Sequence, residues 1–280
     1  MWYTIGMSIY EHFSEVYDLF MDNVSYDEWA EYLIRRLRAE GIEDGLICEL
    51  GCGTGNMTVS LRDAGYDMIG VDSSGPMLAE AFKKELYRKH PELADRDLPP
   101  AETGPGRDIL YLQQDMRAFE LYGTVRAFIS VCDSLNYILE EEELLQVFRL
   151  VNNYLDPGGI FLFDMNTAAR YEQIGESTIA ENREQGSFIW ENSYDPVTQR
   201  NRYDLTLFVR EDRLYRKYEE VHLERAYSPD TLVALIERAG MECLEISEAY
   251  TDAPVTEDTE RILIVARECL KGPDGKSVPL

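Results

Sequence analysis

Leu46-Ile47-Cys48-Glu49-Leu50-Gly51-Cys52-Gly53-Thr54-Gly55-Asn56 is a short apolar run broken by one carboxylate, then three alternating glycines and a polar residue. It reads as a buried strand, a tight turn and the opening of a helix. A parallel strand that ends in a glycine turn lets a ligand come within van der Waals reach of the main chain. The helix that follows offers unpaired N–H groups and the positive end of its dipole at the same point. The spacing is not the dinucleotide fingerprint G-x-G-x-x-G, because Asn56 holds the sixth position and Gly55 comes one residue early. Glu49 sharpens the difference. A carboxylate two residues before the first glycine sits poorly beside a pyrophosphate and suits a ligand with a cationic amine.

Working outward, the pattern on both sides is one of alternating strands and helices. Upstream, Ile9, Phe13, Val16, Tyr17 and Phe20 recur at helical spacing, so a helix is expected over about Ser8–Phe20. A second helix opens at Ser25, with Glu28 placed for a capping box, carries Trp29, Leu33 and Leu37, and ends near Gly41. Downstream, a helix from Asn56 to Ala64 leads to the strand 66–72, with Asp72 at its end about 20 residues beyond the turn, where doubly wound folds bind ribose hydroxyls. A helix from Pro76 to about His90 and an exposed loop, Pro91 to Arg107, follow. Strands at 109–113, 127–131 and 160–164 frame a helix at 141–154 that stops at Asp156-Pro157-Gly158-Gly159. This alternation predicts a mostly parallel sheet covered on both faces.

The period changes after Asn166. Phe188, Trp190, Tyr203, Leu205, Leu207, Val209, Leu214, Tyr218, Val221 and Leu223 alternate with polar residues, with breaks at Asp195-Pro196 and Glu211-Asp212. Three antiparallel strands between about Gly186 and Tyr227 are expected as an inserted sheet. Ser228-Pro229 restarts a helix that runs to Ala239-Gly240, and two strands follow without a helix between them, so the last should be antiparallel. The expected division is N-terminal helices over 1–40, an α/β domain over 41–168 and 228–270, the insert over 169–227, and a tail over 271–280.

Composition sets outer bounds. The 280 residues carry 53 acidic and 27 basic side chains, a net charge of −26. That field repels phosphate backbones and anionic lipid, so neither nucleic acid nor a membrane is an expected partner. No run approaches the ~20 apolar residues of a membrane span, and the N-terminus lacks the basic-then-apolar pattern of a signal peptide. The five cysteines are scattered, form no C-x-x-C and share no zinc spacing with histidine, so no metal is expected. They fit a reduced, cytoplasmic protein.

The E-x-G-x-G-x-G form at Glu49–Gly55 resembles the first motif of the class I S-adenosylmethionine-dependent methyltransferases, and the likeness extends from about Gly45 to Glu268. It implies a Rossmann-like, doubly wound, seven-stranded sheet with the last strand antiparallel and S-adenosylmethionine over the strand tips. On that pattern Gly51, Gly53 and Gly55 approach the methionine portion, Asp72 the ribose hydroxyls, and Asp115 with Met116 the adenine, with Glu49, Asn56 and Ser73 also among the cofactor-binding residues. Cys132 and Asp133 fall beside the sulfonium and the incoming acceptor. Tyr17-Asp18-Leu19-Phe20 and Tyr26-x-x-Trp29 are similar to the entry helices of a bacterial small-molecule subgroup that includes sugar N-methyltransferases. Tyr10, Tyr17 and Tyr26 would cover the cofactor or simply pack.

Cys132 lacks the preceding proline of pyrimidine C5-methyltransferases, and Cys132-Asp133-Ser134-Leu135 lacks the Asn/Asp-Pro-Pro-aromatic run of adenine-N6 enzymes. The expectation is therefore methyl transfer to a small-molecule acceptor, an amine preferred, by a monomer or homodimer. Asp133, Tyr17 or His222 would serve as base where one is needed. A catalytically silent cofactor-binding module and a nicotinamide-dependent oxidoreductase are the alternatives.

Overall fold

The computed structural model describes residues 14–20, 25–93 and 108–271. Near the N-terminus lie two helices, α1 (Ser14–Phe20) and α2 (Tyr26–Ala39). The main sheet is built from β1 (Leu46–Leu50), β2 (Asp67–Asp72), β3 (Leu110–Gln113), β4 (Val125–Ser130), β5 (Leu155–Asn166), β10 (Met241–Glu248) and β11 (Arg261–Glu268). Its order is β10-β11-β5-β4-β1-β2-β3, and β11 runs antiparallel to both neighbours while the strands from β5 to β3 pair in parallel. This is the expected seven-stranded sheet with its last strand reversed. The chain winds outward from β1 in both directions, so β1 and β4 flank the switch point and their C-terminal ends open a crevice.

Burial on both faces explains why these strands read as near-continuous apolar runs. On one face α5 (Glu141–Tyr154) and α7 (Pro229–Arg238) cover Leu50, Val71, Phe128, Phe161 and Phe163. Phe161 and Phe163 stack at 4.6 Å, with Phe148 of α5 against both. On the other face α2 and α3 (Asn56–Asp63) set Leu33, Leu37, Met57 and Leu61 on Ile47, Ala127, Ile129 and Leu162. Each fully buried Leu, Ile, Val, Phe or Met side chain among these contributes about 1.5–3 kcal/mol. α4 (Gly75–Lys89) begins at Ser74, whose hydroxyl accepts the Met77 N–H, and has Pro76 in its first turn. Among the described residues, no helix is long and apolar enough to cross a membrane.

Several local expectations differ from the structure. Ser25 precedes α2, yet its side chain makes no capping bond, and acidic Asp27 and Glu28 complement the helix dipole instead. β5 starts at Leu155, directly after α5, so Asp156-Pro157-Gly158-Gly159 lies inside the strand. Its pairing with β4 is irregular between Val125 and Ala127, which accommodates the proline. The segment after Asn166 holds a helix, α6 (Ala168–Ile174), and a strand, β6 (Ser177–Asn182), neither of which was expected. Thr167 caps α6 by accepting the Arg170 N–H. The second sheet therefore has four strands, not three, in the order β6, β7 (Gly186–Asp195), β8 (Arg200–Glu211) and β9 (Leu214–Arg225). The expected start of the first helix at Ser8, most of the loop 91–107 and most of the tail lie outside the described residues.

Candidate active site

The glycine turn takes the shape its composition requires. Gly51, Gly53 and Gly55 all have positive φ, at 71°, 53° and 80°. At Gly51 a Cβ would also lie 2.5 Å from Ser134 Oγ, so both backbone conformation and space exclude a side chain there. Asp72, at the tip of the neighbouring β2, fastens the turn. One carboxylate oxygen accepts the Gly53 N–H at 2.8 Å and the other the Ser74 N–H at 2.8 Å. A carboxylate has about four acceptor positions, so the side chain keeps capacity for hydroxyl donors from a ligand. Burial pushes its pKa above the ordinary carboxylate range, against the pull of those backbone donors.

Glu49 is 2% exposed and still forms part of the cleft wall. The Thr58 hydroxyl donates to it. Burial first, and the Asp72 carboxylate after it, push its pKa up to about 8, while Thr58 pulls the other way. A buried carboxyl with no cation beside it is poised for a positively charged group.

The cleft is lined by Tyr17, Tyr26, Glu49, Gly51, Gly53, Asn56, Asp72, Ser73, Met116 and Cys132, which brings together ten of the expected positions. Gly55 sits just behind, as the left-handed residue that caps α3. Besides Gly55, three expected residues are not in the wall. Asp115 is held by Arg117 at 2.6 Å, which keeps its carboxyl below the usual range. Asp133 points at Arg261, 2.9 Å away. His222 is buried one hydrogen bond behind the wall, with Nδ1 3.0 Å from the hydroxyl of Tyr137. Tyr10 lies outside the described residues. The wall also includes Cys52, Thr54, Met57, Ser74, Met77, Val131, Ser134 and Tyr137, which pattern reading did not select. The signal for Ser134 and Tyr137 was their place just beyond a strand tip.

The β4 tip is the most constrained part of the site. Cys132 and Asp133 are consecutive non-glycine residues at φ 56° and 54°, a conformation that costs energy and must be held from outside. Asp164 of β5 holds it. Fully buried, it accepts the Cys132 and Asp133 N–H groups at 3.2 and 2.9 Å, Arg261 at 3.0 Å and the Tyr250 hydroxyl. Tyr250 stacks on Trp29 of α2 at 4.1 Å, which ties the helix to this network. Burial and the two neighbouring carboxylates push the Cys132 thiol well up, so it is not a thiolate nucleophile. Asn136 then bridges to the second sheet, donating to the carbonyls of Asn166 and Arg225 at 3.0 and 2.8 Å.

On the opposite rim α1 is clasped to the turn. Asp18 accepts from the Thr54 hydroxyl at 2.8 Å and from Asn56 at 3.0 Å, and pairs with Lys84 of α4 at 2.5 Å. Lys84 also donates to Thr54 and Asn56, at 2.9 and 2.6 Å. Tyr17 is thereby presented to the cleft. Burial pushes the phenol of Tyr26 up, with Cys132 nearby adding to the shift.

A reversed-last-strand sheet with a carboxylate-flanked glycine cleft at its switch point defines a Rossmann-like fold of the class I methyltransferase type. The chain belongs to the methyltransferase domain family, which matches residues 24–246. A Geobacillus protein, provisionally named a methyltransferase, is 31% identical over 92% of this chain and 99% of its own length. The solved structure of an S-adenosylmethionine-dependent methyltransferase from Clostridium acetobutylicum is 26% identical, covers 93% of this chain and 99% of that one, and has a TM-score of 0.76. The cypemycin N-terminal methyltransferase of a Streptomyces species is 23% identical over 78% of this chain and 81% of its own.

Proposed function

We propose that the protein transfers the methyl group of S-adenosylmethionine to an amine nitrogen of a small molecule by in-line displacement. The observation that carries the donor half is the convergence of Glu49, Asp72 and the glycine turn on one cleft. Glu49 offers a buried carboxyl, bonded to Thr58 but with no described cation against it, to the ammonium of the donor, Asp72 offers free acceptor capacity to ribose hydroxyls, and the turn admits the methionine backbone. Met116, beside the cleft's β3 side, supplies an apolar surface for the base. Tyr17 and Tyr26 cover the ligand from the α1–α2 side.

The sulfonium is already an activated leaving group, so alignment and exclusion of water supply most of what the protein must add. The acceptor enters beside the β4 tip, under the second sheet. The preference for an amine rests on the acidic side chains that this sheet turns inward, on the net charge of −26 and on kinship with a relative named for N-terminal methylation. In the test, purified protein is titrated with S-adenosylmethionine and S-adenosylhomocysteine, then offered amino sugars, amino acids and peptide N-termini while S-adenosylhomocysteine release is followed. Binding with turnover on an amine is expected. Binding without turnover on any acceptor class supports a silent module, and NADH binding in place of the donor supports an oxidoreductase.

A further inference from the structure

β9 breaks the rule by which half-buried strands are read. It buries Glu220, His222 and Glu224, at 5%, 4% and 1% exposure, and turns Val221 and Leu223 outward at 38% each. The alternation is inverted over five residues. A slip of one residue would exchange the two faces and bury the apolar pair. The register is nevertheless held along all of β8, with Tyr203 opposite His222 and Leu205 opposite Glu220. A strand that forgoes apolar burial to place two carboxyls and an imidazole inward marks a functional position.

The inward groups form a chain that reaches the cleft. Tyr137, in the cleft wall, meets His222 Nδ1 through its hydroxyl at 3.0 Å, with the two rings edge to face at 5.9 Å. His222 Nε2 lies 3.3 Å from a Glu220 carboxylate oxygen. An ionised Glu220 only accepts, which assigns the proton to Nε2 and leaves the Nδ1 lone pair for the phenol, whose hydroxyl also bonds the buried Glu224 carboxyl. The order carboxylate, imidazole, hydroxyl is that of a base oriented by a third group and acting on the hydroxyl of a residue that lines the cleft. Arg225, which donates to the Leu139 carbonyl at 2.9 Å, and Asn136 pin the Tyr137 turn to β9, so the contact bridges the two sheets.

We propose that Tyr137, His222 and Glu220 are a proton relay that clears the acceptor nitrogen for methyl transfer. This deepens the reading above and rests on it. The ammonium form of the acceptor has no lone pair and cannot attack. As it gives a proton to the Tyr137 oxygen, the phenolic proton passes to His222 Nδ1, and Glu220 stabilises the imidazolium. The freed nitrogen pair then forms the N–CH3 bond while the S–CH3 electrons return to sulfur, leaving S-adenosylhomocysteine. Tyr137 is the catalytic residue, and His222 and Glu220 act through it.

The test uses the full chain and the amine panel named above. Tyr137→Phe keeps the ring and removes the hydroxyl. It should leave S-adenosylhomocysteine affinity within about two-fold while slowing single-turnover transfer about 100- to 10,000-fold. The loss should shrink as pH passes the acceptor's own pKa, where no proton need be taken. His222→Gln should behave alike, and Glu220→Gln should slow transfer less. The chain has three histidines, so 15N spectra of labelled protein, assigned with His222→Gln, read the His222 tautomer directly without donor or acceptor. An Nε2–H ring whose Nδ1 shift changes in Tyr137→Phe is expected. An Nδ1–H ring overturns the relay whatever the donor does, as does Tyr137→Phe with unimpaired transfer. Donor binding without methylation of any amine overturns relay and amine acceptor together. Failure of the wild type to bind donor overturns the methyl-transfer reading alone, because the tautomer still decides whether the relay is built.

Discussion

Cofactor binding should be linked to the ionisation of Glu49, and the size of the effect follows from its surroundings. Without ligand its pKa stands at about 8, because burial disfavours the anion and the described structure places no cation against it. An ammonium bound in the cleft favours the anion, so binding must expel the proton. With a pKa of about 8 the ionised fraction is about 1% at pH 6 and about a quarter at pH 7.5. The α-amino group of the ligand titrates near 7.7–8.0 and removes part of this gain, so affinity should rise about 15- to 19-fold over that interval. S-adenosylhomocysteine is the cleaner ligand because it lacks the sulfonium charge. Calorimetry at pH 6.5 in buffers of different ionisation enthalpy should show close to one proton released per ligand bound. Glu49→Gln, which imitates the protonated carboxyl, should bind more weakly and lose the acid limb. Affinity flat from pH 6 to 7.5 with no proton release would refute the argument. In the free protein the sign is opposite. The folded chain keeps a proton that the unfolded chain has released between about pH 4.5 and 8, so this group's contribution to stability declines as pH rises through that window.

Asp72→Ala should weaken S-adenosylhomocysteine binding by about 1.5–3 kcal/mol, since it removes charged acceptors from the Gly53 and Ser74 N–H groups and from the ligand; calorimetry decides it, and unchanged affinity would take Asp72 out of the site. Asp18→Ala should unfasten α1 from Thr54, Asn56 and Lys84, raising the ligand dissociation rate in stopped flow while the melting temperature moves little; an unchanged rate would show that α1 does not cover the ligand. Gly51→Ala should cost about 1–3 kcal/mol in denaturant unfolding for its left-handed backbone alone, and more for the contact with Ser134; a neutral result would mean that the turn relaxes freely.

The parallel sheet was legible because its strands are buried on both faces and punctuated by Gly and Pro at their ends. The glycine turn was legible because three alternating glycines before a helix have few other uses. α6 and β6 were not. Ala168–Ile174 is too short for its period to show, and Ser177–Asn182 is an edge strand with mostly exposed residues, so it carries no apolar alternation. The expected β5 boundary at Ile160 failed for another reason. Pro157 and two glycines are turn residues by local preference, and only pairing with β4 draws them into a strand. In the site, Asp133 and Asp115 were reasonable positions whose carboxylates are satisfied by arginines, Arg261 from far along the chain and Arg117 from two residues on. No local pattern announces such partners.

β9 and Asp164 mislead in the same way. The apolar alternation that includes Val221 and Leu223 implies an apolar inner face, and the strand expected over 160–164 ends on Asp164. Both readings assume that apolar groups turn inward and carboxyls stop where water begins. Here Asp164 is fully buried because four donors meet it, and those donors keep Cys132 and Asp133 in a backbone conformation the chain would otherwise leave. Glu220, His222 and Glu224 are buried because the Tyr137 turn and Tyr171 supply hydroxyl partners from across the sheet interface. A buried polar group without partners costs about 1–3 kcal/mol, and more when charged, so such an interior persists only while its network is complete. The apolar core thus accounts for the sheet, whereas the groups around the β4 tip are held by hydrogen bonds between residues remote in sequence. Changes in the apolar core should therefore show mainly as lost stability, and loss of Asp164, which strands four buried donors, as lost stability together with lost order at the β4 tip.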